Sequence, residues 1–223
     1  SLRRGEIDIG LVPSIEYALA GHGAVIPGIC IRSAGPVRSV LLLAFKPMEE
    51  VQTLALDASS LTSNTLVRIL FRELYGYEPV LVEPSRTDKA HPRNADAFTL
   101  IGDRAMTIEH HTVPHVYDLG AEWERLTNEP FVYAFWLSRT DKVDTRIISR
   151  LQEAKRRGIL NLDTISRSES KRLGIPYRAC YDYLALDIGY DLGERELSGL
   201  RLFYELSARH RLAPAIPDLR FAG

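Results

Sequence analysis

The stretch "LALDASSLTSNTLVRIL", residues 54–70, contains the transition that decides the fold. Its apolar run ends at Asp57 and an amphipathic pattern begins a few residues later, which predicts a buried strand leading directly into a helix. Leucines then recur every four residues, and Gly76 is typical of the position just after a helix ends. We therefore predict a helix from Thr62 to Tyr75.

Polar side chains are crowded into this joint between strand and helix. They are Ser59, Ser60, Thr62, Ser63, Asn64 and Thr65. A helix needs one capping side chain, and Ser59 or Ser60 can supply it. The first turn also carries unpaired N–H groups and a partial positive charge, which favour carboxylates and phosphates. We predict that Thr62 and Ser63 face a ligand, while ordinary capping by the whole group stays open as the alternative.

Two further loops repeat the same chemistry. In "VPSIEY", Ser14 follows a short strand and is a possible cap of the next helix. In "SAGPVRS", Arg38 and Ser39 lie near a Gly-Pro turn between two β-rich runs. Three hydroxyl-bearing strand ends in one chain favour a cleft that binds carboxylates.

Strands alternate with helices up to about residue 140, and the pattern is helical from Asp141 onward. This order predicts an α/β architecture with mostly parallel sheets. Two places allow the chain to cross between lobes, near "KPMEE" and at "FVYAFWLS". We predict one lobe from residues 1–51 plus 132–223 and a second from residues 52–131. A ligand would bind between the lobes, beyond the strand ends.

The composition excludes several function classes. The chain has 28 basic and 29 acidic residues, so it gives no electrostatic case for nucleic acid or an anionic membrane. The longest apolar runs are too short to span a bilayer. Cys30 and Cys180 lack any paired metal or redox spacing, which favours a reduced, cytoplasmic protein. We expect a monomer or a homodimer.

A metal or organic cofactor is not expected. The segment "EHHTVPH" (109–115) holds three of the six histidines, but Pro114 interrupts the helix that metal ligation by paired histidines would need. Sequence motifs for phosphate loops, dinucleotide binding and serine hydrolases are lacking.

Six ordered motifs resemble the chorismate dehydratase family, the first enzymes of the futalosine route to menaquinone. They are "GEIDIGLVPSIEY", "PGICIRSAGPVRSVLL", "LALDASSLTSNTL", "ADAFTLIGD", "VYDLGAEWERLTNEPFVYAFW" and "GYDLGERELSGLRLFYEL". The resemblance runs from about residue 2 to 208. It implies a two-lobed fold like that of type II periplasmic binding proteins and a cytoplasmic location. The naphthoate synthases of the same route are the nearest alternative, and "GPVRSVLL" and "DASSLTS" fit the dehydratases better.

The resemblance also implies a reaction and a set of site residues. The family removes water from chorismate to leave 3-[(1-carboxyvinyl)oxy]benzoate. The expected substrate-binding residues are Ser14, Ser39, Thr62 and Ser63, with Arg38 and Ser60 behind them. No histidine lies in these motifs, so the expected base is the enolpyruvyl carboxylate of the substrate itself. Family members begin with a further strand and a Tyr-Leu-Asn loop, so we expect that an N-terminal segment precedes this sequence.

Two other classes remain open. A non-catalytic protein that binds small carboxylates would use the same cleft, and so would the effector-binding domain of a transcription regulator.

Overall fold

Two β-sheets form the frame of the protein. The computed structural model describes residues 2, 4–83, 92, 94–107, 113–215 and 218–223. The small sheet has the order β1 (Ile9–Pro13), β8 (Phe131–Ser138) and β2 (Ala24–Ser33). The large sheet has the order β5 (Val80–Val82), β4 (Thr53–Ala55), β6 (Ala97–Ile101), β3 (Val40–Ala44) and β7 (His115–Asp118).

Helices connect the strands and form most of the last third of the chain. Their bounds are α1 Ile15–Ala20, α2 Leu61–Tyr75, α3 Asp103–Thr107, α4 Leu119–Thr127, α5 Thr145–Leu160, α6 Leu162–Leu173, α7 Tyr177–Asp182 and α8 Glu194–Arg209. A five-residue π turn, Tyr183–Asp187, follows α7, and a 3-10 turn covers Met48–Glu50. The prediction for α2 is confirmed to within one residue, and Gly76 ends the helix with a φ of 75°.

The strand directions differ from the expected mostly parallel arrangement. β4 is parallel to both its neighbours, but β3 is antiparallel to β6 and β7, and β8 is antiparallel to β1 and β2. The physical reason is that the chain crosses between the sheets after β2 and again between α4 and β8. A strand that carries the chain from a crossing into a sheet runs opposite to the strands that lead back toward the crossings. The side of each sheet where these crossings lie is called the hinge side below.

The expected bounds of the lobes are wrong for one strand. The sequence pattern assigns residues 1–51 to the first lobe, but β3 pairs with β6 and β7 in the large sheet. The first crossing therefore lies in the β2–β3 connection and not near residue 51. The remaining division of the chain stays a prediction.

One hydrophobic core joins the two sheets. It includes Phe135 of the small sheet, Leu42 of the large sheet, Leu66 and Leu70 of α2, and Phe203 of α8. Each such side chain contributes about 1.5–3 kcal/mol when fully buried, so this core holds the two sheets together. Within the described part of the chain, none of the helices combines the length and the apolar character that a membrane span requires.

Candidate functional site

Polar side chains line the hinge side of the small sheet. Ser14 directly follows β1, and its backbone N–H donates to the Tyr133 carbonyl at 2.9 Å. Ser33 ends β2, and its Oγ lies 3.0 Å from Tyr133 Oη. The three strand ends therefore form one polar row, with Tyr133 in the middle.

The hinge side of the large sheet carries a matching row. Thr99 Oγ1 accepts a hydrogen bond from the Asp57 N–H at 2.7 Å, which ties the end of β4 to β6. The Ser39 carbonyl accepts from Gly102 N–H at 2.7 Å, which ties the start of β3 to the end of β6. Asp118 ends β7 at the same side. The two rows mark the region in which the sequence predicts a ligand cleft.

Ser14 and Thr62 connect the two rows. Ser14 Oγ donates to the Val132 carbonyl at 2.7 Å and lies 3.4 Å from Thr62 Oγ1. Thr62 Oγ1 accepts from the Ile15 N–H at 3.3 Å. The expected capping of α1 by the Ser14 side chain is therefore wrong: Thr62, from another helix, satisfies that N–H. Both side chains are at most 1% exposed, so their hydroxyls are held by the protein.

Ser60, one of the two predicted candidates, is the capping residue of α2. Its Oγ accepts from the Ser63 N–H at 3.3 Å and donates to Ser63 Oγ at 2.9 Å. The Ser63 hydroxyl therefore acts as an acceptor within the cap. Its predicted contact with a ligand stays a prediction.

Arg38 and Ser39 lie on the other side of the hinge region from Thr62. Arg38 has a φ of 59°, and its N–H donates to Asp118 Oδ2 at 2.6 Å. Its guanidinium pairs with Asp187, while Ser39 Oγ lies 2.9 Å from Tyr183 Oη. The π turn supplies both partners. Tyr183 and Asp187 are not predicted as site residues, because "YLALD" has no pattern that distinguishes a π turn from an ordinary helix.

Burial shifts the acidity of three groups in this region. It raises the pKa of Asp187, against the opposing effect of the hydrogen bond from Arg38. It also raises the pKa of Tyr183 and Tyr133, although hydrogen bonds to Ser39 and Ser33 respectively act in the opposite direction. Because tyrosine ordinarily titrates near pH 10, both phenols are neutral at physiological pH.

A cavity of about 360 Å³ adjoins Arg38. Its walls come from the large sheet, α3 and the α6–α7 region, and its lining residues are Arg38, Leu41, Ala105, Met106, Val116, Asp118, Ile175 and Ala179. This volume is within the range of small-molecule sites, about 300–1,000 Å³. A second cavity of about 290 Å³ lies against the small sheet and α5, with Trp136 and Leu151 among its apolar walls.

Among the residues that the structure describes, no three histidine, cysteine, aspartate or glutamate side chains lie close enough together to hold a metal ion. His110 and His111 of the "EHHTVPH" segment lie outside the described residues, and His115 belongs to β7. Both cysteines are buried and unpaired with each other.

Comparisons with solved structures identify the fold. Protein AF1704 from Archaeoglobus fulgidus matches with a TM-score of 0.72 at 18% identity, over 94% of this chain and 81% of that one. The periplasmic aliphatic sulphonate binding protein SsuA from Escherichia coli matches with a TM-score of 0.59 at 19% identity, over 98% and 80% respectively. The predicted two-lobed, binding-protein-like α/β fold is confirmed.

Sequence comparisons identify the family. A chorismate dehydratase from Thermus thermophilus is 29% identical over 222 residues, which cover 92% of this chain and 81% of that protein. The profile of a family described as menaquinone biosynthesis matches residues 1–209, nearly the whole chain. The chain therefore belongs to the menaquinone biosynthesis family.

Proposed function

We propose that this protein is a chorismate dehydratase, a hydro-lyase that converts chorismate to 3-[(1-carboxyvinyl)oxy]benzoate in the futalosine route to menaquinone. The observation that carries the proposal is the relative of that name, 29% identical over 92% of this chain, within a family matched over residues 1–209. We further propose that it acts in the cytoplasm as a monomer or homodimer, without a metal or cofactor.

The chemistry of the hinge region supports binding of a dicarboxylate. Chorismate carries one carboxylate on the ring and one on the enolpyruvyl group. The candidate residues Ser14, Ser39, Thr62 and Ser63 bring hydroxyl groups from both rows, which could donate to an anion after a change of their present partners, and all four are at most 4% exposed. Hydrogen bonds to a charged group contribute about 1.5–3 kcal/mol, so a few such donors suffice to hold and orient an anion. Opening of the hinge would expose them to the substrate.

The reaction needs one proton acceptor and one leaving hydroxyl. Because loss of water makes the ring aromatic, the protein mainly has to position the substrate and exclude solvent. We propose that the enolpyruvyl carboxylate of the substrate takes the proton, which requires that it approach within roughly 2.6–3.2 Å or act through one water. A substrate analogue that lacks this carboxylate yet reacts at the normal rate would contradict this assignment.

Incubation of the protein with chorismate tests the proposal directly. We expect loss of the diene absorbance and appearance of the substituted benzoate, separated by chromatography. The same rate should be measured after exhaustive chelation, and activity restored only by added zinc would overturn the cofactor-free proposal. Binding of chorismate with no turnover would indicate a non-catalytic carboxylate-binding protein.

A further inference from the structure

The π turn contacts two consecutive residues of the β2–β3 connection. Asp187 pairs with the Arg38 guanidinium, and Tyr183 Oη lies 2.9 Å from Ser39 Oγ. Both partners belong to the predicted ligand region. π segments are rare, and many are found at functional sites. In this structure, the π turn therefore binds side chains that could otherwise bind an anionic ligand.

Arg38 is the group through which the adjoining cavity can attract an anion. The cavity of about 360 Å³ has two charged residues in its walls, Arg38 and Asp118. The Asp118 carboxylate already accepts hydrogen bonds from four backbone N–H groups, those of Val37, Arg38, Gly120 and Ala121. The Asp118 carboxylate therefore stabilises the backbone, and Arg38 is the charged group in the cavity wall that can bind an anion.

The Arg38 side chain can change partners without a movement of its backbone. The backbone is fixed by Asp118, whereas the side chain is 45% exposed. Its partner Asp187 is in a less favourable position, because partial burial disfavours the charged carboxylate and raises its pKa. A guanidinium binds any carboxylate through the same planar set of donors, so a ligand carboxylate fits the place that Asp187 now fills.

We infer that the π turn is an internal competitor for the substrate: Asp187 holds Arg38 when no ligand is bound, and a substrate carboxylate replaces it. The inference rests on the proposed function, because it takes the substrate to be a dicarboxylate. Displacement of Asp187 would also free Ser39 from Tyr183. The apparent affinity for an external carboxylate is then the intrinsic affinity multiplied by the fraction of molecules in which Arg38 is not paired with Asp187.

Calorimetric titration with isophthalate, a benzene ring with two carboxylates and no hydroxyl to eliminate, tests the inference. We expect Asp187→Asn to bind isophthalate about tenfold more tightly than the unmodified protein, if Asp187 occupies Arg38 in about nine-tenths of the molecules. Arg38→Gln should weaken binding, and the double variant should behave as Arg38→Gln. Asp191→Asn removes a comparable ion pair, with Lys155 at 2.5 Å, and should leave binding unchanged.

Equal binding in the unmodified protein and Asp187→Asn, weaker binding in the variant, or no detectable binding in either would overturn the inference. Thermal unfolding of each variant verifies that it is folded, and Asp187→Ser replaces Asp187→Asn if the latter is not. Chorismate turnover is measured separately. Absence of chorismate turnover by the unmodified protein would refute the proposed function. Tighter isophthalate binding by Asp187→Asn would still support the inference that the π turn is an internal competitor.

Discussion

The two contacts across the hinge region use their polar groups in different ways. At Ser14 and Thr62, the hydroxyls serve the backbone, since they bind the Val132 carbonyl and the Ile15 N–H. At Arg38 and the π turn, side chains bind other side chains. A backbone group left without a partner in a buried place costs about 1–3 kcal/mol, whereas an exposed side chain can exchange partners. The first contact is therefore expected to be structural, and the second exchangeable.

The largest expected effect comes from disturbing the β2–β3 connection, which carries Arg38 and Ser39, where it packs on α4. A Cβ at Gly120 would lie 2.6 Å from the Gly35 carbonyl and 2.8 Å from both Ser33 Oγ and Tyr133 Oη. Gly120→Ala must push the β2–β3 connection away from α4, and we expect a loss of at least about 2–3 kcal/mol in the free energy of unfolding. Urea unfolding measures it. Gly158→Ala is the matched control, because nothing lies within 4 Å of its new Cβ.

Thr62→Val tests the structural contact. The change keeps the shape but removes the acceptor for the Ile15 N–H, and we expect unfolding to become easier by about 1–3 kcal/mol. If Thr62 also binds a substrate carboxylate, kcat/KM should fall by a further factor that corresponds to about 1.5–3 kcal/mol. Thr65→Val is the control, since Thr65 Oγ1 donates to the Leu61 carbonyl within α2 and should cost less. Unchanged stability in Thr62→Val would contradict the structural role.

Tyr183→Phe tests the exchangeable contact and should have a smaller effect. It removes the hydroxyl that lies 2.9 Å from Ser39 Oγ, and we expect a loss of about 0.5–1.5 kcal/mol in unfolding free energy. A double-mutant cycle with Ser39→Ala should give a coupling of the same order. Tyr190→Phe removes a bond of the same length to the Leu184 carbonyl of the same turn, and shows how much unfolding free energy the turn loses when its contact with Ser39 is kept. A fall in kcat/KM for Tyr183→Phe larger than that for Ser39→Ala would contradict a competitor role for the turn.

The same difference explains how much the sequence could predict. The α2 cap and the end of α2 at Gly76 depend on neighbouring residues, so their local pattern was sufficient. The Ser14–Thr62 contact joins residues 48 positions apart, and only the packing of α1 on α2 reveals which hydroxyl caps α1. The place of β3 depends on where the chain crosses between sheets. Hydrophobic patterns report which residues are buried but not which strand they pair with.

The smallest expected effect is a difference in the pH dependence of stability between Asp187 and an exposed aspartate. Burial raises the pKa of Asp187, so the folded protein holds its proton more tightly than the unfolded chain does. The contribution of Asp187 to stability is therefore fully present below its unfolded pKa, about 3.9, and is lost as the pH rises through its raised folded pKa. Relative to the unmodified protein, Asp187→Asn should thus gain stability over this rise in pH.

Asp144 provides the contrast of opposite sign. Hydrogen bonds from Arg146 lower the pKa of Asp144, so its contribution is present above about pH 3.9 and is lost as the pH falls through the lowered value. Asp144→Asn keeps an amide oxygen that can still cap α5. Its stability relative to the unmodified protein should therefore fall as the pH rises through this lower window. Urea unfolding at a series of pH values from 2.5 to about 7 measures both variants, a range chosen to span the ordinary carboxyl pKa. If both curves slope in the same direction, Asp187 is held by Arg38 as firmly as Asp144 is by Arg146, and the π-turn contact is structural like the one at Thr62.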